Sequence, residues 1–586
     1  MLGDNIAFFR TASRRASSIA SSASVFLNCA VILWVGVAGC GKNAGTNGAA
    51  DAVDAAPVFS EISGQSQLAF THFTGYDSTY FVPESIGSGA ALLDYDNDGD
   101  LDVYFVNGAP HGRNRRDQPK PKNQLFRQET DKTFTNVTDA SGLGDTGYGM
   151  GVAVGDIDND GFVDVYISNY GPDKLYRNNG DGSFTDITRS ARIVNRNWGC
   201  SVVFFDGDMD GFLDIFVTNY LAYNPSNQCV YEAGSQDYCG PAGFPGVADV
   251  LYRNNGDLTF TDVSRKAGVA GVALRGLGVV SADFDGDHLP DVYVANDGDP
   301  NILWVNQGDG TFTDAALRMG AAFNEMGRPE AGMGVAVGDV DNDADFDIFI
   351  SHLRGESNTF YRKQAFGFQD DSAPSGIEGK SLPYTGFGTG FLDFENDGDL
   401  DLAVVNGRVT RGMLLSKKQA AEHWDYYAEP NLLFENDGDG RFTTIGEAGD
   451  FSTLIENSRG LAIGDLDNDG GVDALVTNGG GDARLFRNVS VERGHWLIVR
   501  ALNPKLKRDA YGAQVTTHFA GRKLTRLIQP GYSFLSSNDP RAHFGLGDSA
   551  EIDSLVVQWP DGAKEKFVVD SVDRILTVEK GTGDQN

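Results

Sequence analysis

The 586-residue chain carries 74 glycines, 41% apolar residues and a formal charge of −35. It is long enough to bury more than one core, and so acidic that nucleic acid is excluded as a partner. Short Val/Ile/Phe runs between Gly- and Asp-rich turns predict β-structure throughout, with one short helix expected near Ser416–His423.

The N-terminus reads as an export signal. Arg10, Arg14 and Arg15 precede an apolar run, Val25 to Ala38, that ends in Val37-Ala38-Gly39-Cys40. The run falls short of the ~20 residues needed to span a bilayer. Its ending resembles a bacterial lipobox, in which Cys40 would be lipidated; a plain secretory signal or short membrane anchor is the alternative. Arg14-Arg15 lacks the apolar residues a twin-arginine signal needs behind it. Gly36 to Lys42 approaches a phosphate loop but meets Asn43 where Ser or Thr is required. Residues 1–40 are therefore expected to be a lipoprotein-type signal and 41–56 a flexible linker. The protein would be exported and held at the cell envelope or outer surface, touching the membrane through its N-terminal lipid. Secretion or a periplasmic location is the alternative.

Residues 57–491 are built from a repeat. Each copy has a Gly/Ala-rich strand, such as Gly149-Met-Gly-Val-Ala-Val-Gly, then an acidic loop, then a β-branched strand such as Val165-Tyr-Ile-Ser. A third strand of the type Leu175-Tyr-Arg and a Phe strand complete the copy. The Phe strands begin at Phe59, Phe134, Phe184, Phe260, Phe312, Phe368 and Phe442. The first Phe strand precedes the first acidic loop and none follows the last, an offset that a closed ring explains. The expected fold is all-β: a seven-bladed β-propeller closed by an N-terminal outer strand, followed by a small β-sandwich-like domain. Glycine suits the innermost strands, which crowd around the axis. The long connections, residues 107–123, 220–249 and 406–430, should converge on the face opposite the acidic loops.

The acidic loops place carboxylates at relative positions 1, 3, 5 and 9. The quartets are Asp94, Asp96, Asp98 and Asp102; Asp156, Asp158, Asp160 and Asp164; Asp206, Asp208, Asp210 and Asp214; Asp283, Asp285, Asp287 and Asp291; Asp339, Asp341, Asp343 and Asp347; Asp393, Glu395, Asp397 and Asp401; Asp465, Asp467, Asp469 and Asp473. Four carboxylates facing one point, with a backbone carbonyl from position 7, form an oxygen-rich site suited to Ca²⁺, and up to seven structural ions are expected. Solvated Asp/Gly turns would account for one such loop; seven in register would repel themselves without a cation. His288 and Ala344 replace the usual glycine at position 6, which puts the turn and the affinity of those two loops in question.

Cys229 and Cys239 sit ten residues apart in a long insertion, a spacing that in an exported protein predicts a local disulfide, whereas Cys200 reads as a core residue. The final segment alternates apolar and polar residues between Gly and Pro breaks. From residue 493 onward, 13 basic residues balance 11 acidic ones, while residues 41–492 hold 31 basic and 70 acidic. Core or surface roles are expected for His518 and His543.

The pattern running from Gly149 to Thr188 resembles the FG-GAP/VCBS repeats of integrin α-type propellers. Three stretches, Arg508-Asp-Ala-Tyr-Gly-Ala-Gln-Val515, Asp539-Pro-Arg-Ala-His-Phe-Gly-Leu-Gly547 and Val556-Val-Gln-Trp-Pro-Asp-Gly562, are similar to the ASPIC/UnbV domain. In this order they resemble bacterial relatives of cartilage acidic protein. The resemblance implies an extracellular Ca²⁺-binding propeller, residues 57–491, an ASPIC/UnbV module at 492–582 and a tail at 583–586, assigned to binding or adhesion.

Neither a His-Glu-x-x-His, a Gly-x-Ser-x-Gly nor a dinucleotide fingerprint occurs, so no catalytic residue and no organic cofactor is assigned. The expected function is binding or adhesion to an extracellular protein or glycan through the long loops. Arg113, Arg115, Arg116, Tyr220, Tyr223, Tyr231, Tyr238, Trp424, Tyr426 and Tyr427 are the candidate contacts, unless they stabilise their own loops. An enzyme acting on an extracellular polymer or small molecule at the propeller channel is the alternative.

Overall fold

Alternating strands of three to seven residues, punctuated by tight turns, fold each repeat into one antiparallel sheet. The computed structural model describes residues 57–111, 120–230, 236–415, 421–446 and 448–585. The export signal with Cys40, the linker, Arg113, Arg115, Arg116, Tyr231 and residues 416–420 of the expected short helix lie outside them. Residues 421–423 of that segment form no helix, and a single 3₁₀ turn over Trp424–Tyr426 follows them.

Among the described residues the repeats form seven four-stranded sheets. The first runs Ala90–Leu93, Asp102–Phe105, Gln124–Gln128, Phe134–Asn136 from inside to outside. The last takes Ser458–Gly464, Asp473–Asn478 and Arg484–Asn488 from the C-terminal repeat and Phe59–Glu61 from the N-terminus. Phe59 pairs with Asn488 and Glu61 with Phe486, as the offset of the Phe strands predicts.

Neighbouring sheets are tied by two repeating devices. A Ser or Thr on the second strand donates to the next inner strand: Thr218 Oγ1 to Leu277 O at 3.0 Å, Ser351 Oγ to Phe387 O at 2.6 Å, and, closing the circle, Thr477 Oγ1 to Ser88 O at 2.6 Å. An amide at the end of the third strand donates to position 2 of the preceding sheet's acidic loop. Asn178 reaches Tyr95 O, Asn254 Ile157 O, Asn306 Gly207 O, Asn436 Val340 O and Asn488 Phe394 O. Gln128 closes this series on Leu466 O at 2.8 Å. Lys363 holds the equivalent place in the fifth sheet, and no such bond joins it to the fourth among the described residues. Inner strands approach so closely that a β carbon on Gly334 would lie 2.1 Å from Phe387 O.

Gln128 is buried with its amide committed to the closure and to Leu101 O. Gln128→Ala is expected to lower stability by about 1–3 kcal/mol by leaving those carbonyls unpaired. Chemical denaturation would read the loss, and an unchanged midpoint would contradict the closing role.

The C-terminal module packs two sheets over one core. Ala542–Gly547 and Arg574–Glu579 flank His495–Asn503 in one sheet. Arg522–Leu527, Gln514–Phe519, Ser554–Gln558, Lys564–Phe567 and Asp584–Gln585 form the other. Leu497, Val499, Val515, Leu524, Leu555 and Trp559 are buried between them.

Sequence patterning gave no sign of how this module joins the propeller. Residues 530–538 enter the centre of the ring. Ser537 exchanges backbone hydrogen bonds with Ala90 and Leu92, and Ser533 with Val335; Leu535 O accepts from Val152. Ser201 Oγ accepts from Leu535 N, Ser533 Oγ from Thr389 N and Asn538 Oδ1 from Ile463 N. Six of the seven inner strands are thus engaged, and Leu277 of the remaining one shares a cluster with Phe534 and Leu535. The inner edges of a propeller carry backbone groups that need partners, and this segment supplies them. The segment therefore fills the end of the channel that lies on the acidic-loop side.

Candidate functional site

Each acidic loop is a tight turn between the first and second strands, made by two residues with positive φ. Position 4 is Asn97, Asn159, Met209, Gly286, Asn342, Asn396 or Asn468; position 6 is glycine in five loops. His288 and Ala344 adopt the same conformation, with φ of 71° and 76°, and their amides reach Asp283 and Asp339 as the glycines do elsewhere. The turn doubted from sequence thus forms in both loops, because its hydrogen bonds offset the strain of a side chain there.

The four acids divide the work. Position 1 accepts from the amides of positions 5 and 6, as Asp156 does from Asp160 and Gly161. Position 9 starts the second strand and accepts at both oxygens: Asp164 takes Ile157 N and Asn178 N, at 2.9 and 2.7 Å. In four loops an arginine of the third strand, missed at the level of sequence, holds one oxygen of the acid at position 3. Arg177 donates to Asp158 Oδ2 at 2.5 Å and Arg362 to Asp341 Oδ2 at 2.5 Å; Arg487 pairs with Asp467 Oδ2 at 2.5 Å. These arginines belong to the third-strand motif and were legible as residues, though not as loop partners.

The other oxygen of each of these acids, Oδ1 of Asp158, Asp341 and Asp467, is buried with no hydrogen-bond partner. The same holds for Asp96 Oδ1, Asp206 Oδ1, Asp339 Oδ2 and Glu395 Oε2, so six of the seven loops hold an orphaned carboxylate oxygen among the described residues. In the first, second and fourth loops, one oxygen each from positions 1, 3 and 9 lies within 4.8 Å of the others. Burial, opposed by the amide bonds, pushes Asp94, Asp156, Asp206 and Asp339 up to about 6, and Asp102 and Asp291 up to about 8; neighbouring carboxylates add to the rise. Such oxygens are costly unless a cation meets them, and an all-oxygen set of this kind fits Ca²⁺. The fourth loop departs from the rest: it has no orphaned oxygen among those described, and the His288 ring stands 3.5 Å from Asp283.

The C-terminal module sits on this acidic face through its cations. Arg508 donates to Asn159 Oδ1 and Gly211 O, Arg526 to Gly398 O, and Arg541 to Asn468 Oδ1 and Asp465 O. Arg493 pairs with Asp469 at 2.9 Å and Arg522 with Asp399. His543, half-buried, meets Gly470 O at 3.0 Å, and desolvation lowers its pKa to about 4. The balance of charge in the last hundred residues is the sequence signal of this docking.

On the opposite face the long loops converge as expected. The Cys229–Cys239 disulfide closes one of them, and Cys200 is free and buried. Tyr220, Tyr238 and Tyr427 are buried, and their hydroxyls reach Asp297, Glu84 and Asp237 respectively. Trp424 stacks on Tyr238 at 6.0 Å. These aromatics therefore stabilise the loops, the alternative weighed from sequence. Tyr223, Trp424 and Tyr426 stay partly open, and Met413 is 82% exposed at the rim.

An FG-GAP-like repeat model matches residues 94–167, 158–217, 242–294, 283–350 and 393–476, and an ASPIC and UnbV model matches 503–585. The chain belongs to the FG-GAP-like repeat family. This FG-GAP protein is also homologous to human cartilage acidic protein 1, with 30% identity over 323 residues, 53% of this chain and 44% of that protein. It spans less than half the length of the curated relatives it matches. Among solved structures, it is similar to an Agrocybe aegerita lectin specific for non-reducing terminal N-acetylglucosamine (14% identity, TM-score 0.35, 66% of this chain and 88% of that one). It is likewise similar to a Bacillus licheniformis rhamnogalacturonan lyase (14%, TM-score 0.36, 69% and 72%). Likenesses at these scores carry no functional argument.

Proposed function

We propose that this FG-GAP protein is a Ca²⁺-stabilised binding protein that works outside the cytoplasm and presents its long-loop face to an extracellular protein or glycan. One observation carries the metal reading: among the described residues a buried, partnerless carboxylate oxygen recurs in six of the seven loops, at position 3 in five of them and at position 1 in the loop of Asp206. The fourth loop is proposed as the weakest site. Two features support the choice of face. The C-terminal module covers the acidic side, and the rim opposite exposes Met413, Leu414 and Leu415 in succession.

Calorimetric titration of chelator-treated protein with Ca²⁺ tests the metal reading. Asp158→Asn keeps the shape of the side chain, removes one charge and should abolish one binding event while sparing the others. Undiminished stoichiometry would count against the loop as a site. For the partner, Met413→Asp should weaken capture of the extracellular ligand without moving the melting temperature.

A further inference from the structure

The end of the channel that the C-terminal segment leaves unfilled is a cavity of about 310 Å³ opening toward the long loops. Its apolar wall includes Ile86, Leu277, Met333 and Val409, drawn from four different repeats or their connections. Its polar lining is cationic. Arg354, Arg408 and Arg411 all contribute, against a single carboxylate, Asp297, which accepts from Tyr220 Oη. Arg408 is neutralised by Glu429 at 2.9 Å. Among the described residues, neither Arg354 nor Arg411 forms an ion pair. Arg411 lies 3.9 Å over the Tyr426 ring, and Arg354 shares the field of Glu429 without touching it.

Behind this lining Arg459 is fully buried. Its guanidinium lies 4.0 Å over Phe387 and donates to Ser85 O, Ser458 O and Arg408 O, again with no carboxylate contact among the described residues. A chain with 82 acidic and 47 basic residues has carboxylates to spare for pairing. Four guanidinium groups around one carboxylate, Glu429, leave Arg354 and Arg411 at the mouth of an apolar cavity with no ion pair of their own among the described residues, poised for an anion brought by something else.

We infer that this cavity binds a carboxylate attached to a compact apolar body. The body would lie against Leu277, Met333 and Ile86, and the carboxylate would meet Arg354 and Arg411. The inference rests on the long-loop face being the binding face and names the chemistry recognised there. A free organic acid and the C-terminal residue of a peptide share that chemistry.

The test titrates Ca²⁺-saturated protein with 3-phenylpropionate, with its primary amide, and with an acetylated tripeptide ending in Phe, followed by calorimetry. The acid or the peptide is expected to bind with a Kd below about 1 mM and the amide at least about tenfold more weakly. Arg354→Gln and Arg411→Gln should each weaken binding about tenfold. Met333→Trp should abolish it by filling the cavity, with the Ca²⁺-induced rise in melting temperature retained. Binding of the acid identifies a free metabolite as the source, and binding of the peptide alone a chain terminus. No binding of either, equal binding of acid and amide, or indifference to both arginine substitutions would overturn the inference. Because the calcium response is read separately by melting, failure here leaves the metal reading to stand or fall on its own.

Discussion

Removal of divalent cations is expected to lower the melting temperature by roughly 10 °C relative to protein in about 10 mM Ca²⁺, if the sites have the 10⁻⁴–10⁻³ M affinities of extracellular modules. The magnitude follows from mass action. Each such site contributes about 1.4–2.7 kcal/mol under those conditions, and a body of roughly 500 residues unfolds with about 1 kcal/mol/K of entropy. The effect should also depend on pH in a direction the carboxylates fix. In the unfolded chain these aspartates lose their protons near 3.8, whereas in the metal-free fold burial holds Asp94, Asp156 and Asp206 near 6 and Asp102 near 8. Between about pH 4 and 8 the fold therefore keeps protons that the unfolded chain has released, so metal-free stability falls as pH rises. Calcium replaces those protons, and its stabilising increment should grow across the same window. A calcium increment that is flat or shrinks with rising pH would contradict this assignment.

The second large effect concerns the segment in the channel. Gly89→Ala would place a β carbon 1.9 Å from Leu535 O and 3.1 Å from Met150 O, so either the inner strand or the inserted segment must withdraw. Phe534, fully buried against Phe387 at 5.0 Å, would lose its seat with it. Calorimetry of Gly89→Ala is expected to split one unfolding transition into two, as propeller and C-terminal module uncouple, and amide exchange at Leu535 and Ser537 should rise. Gly64→Ala, whose β carbon meets nothing within 4 Å, is the control. One unsplit transition at the wild-type temperature would show that the insertion is not what couples the two parts.

These two predictions differ in how far the sequence foretells them. The acidic quartets, the four-strand repeat and the closing strand at Phe59 are local and periodic, so spacing alone exposes them. The third strand also carries an arginine in five repeats and an amide at its end in six. Their partners, however, lie in another loop or another sheet, as Asn178 meeting Tyr95 shows, and spacing within a repeat cannot reveal that. Gln529 to Asp539 is aperiodic, occurs once, and reads as an ordinary Pro/Gly/Ser connection. Nothing local marks it as the filling of a channel whose walls lie between 75 and 446 residues away in sequence. The rim aromatics show the converse problem. Tyr238 and Tyr427 look like contact residues by composition, but Glu84 and Asp237, brought from elsewhere, bury their hydroxyls.

Diffraction from crystals grown with millimolar Ca²⁺, recorded at a wavelength where calcium scatters anomalously, examines the loops without reference to stability. Anomalous peaks are expected among positions 1, 3, 5 and 9 in the loops that begin at Asp94, Asp156, Asp206, Asp339, Asp393 and Asp465, with the weakest peak or none at Asp283. Loops without anomalous density at about 10 mM Ca²⁺ would mean that the carboxylate quartets serve some purpose other than holding a metal.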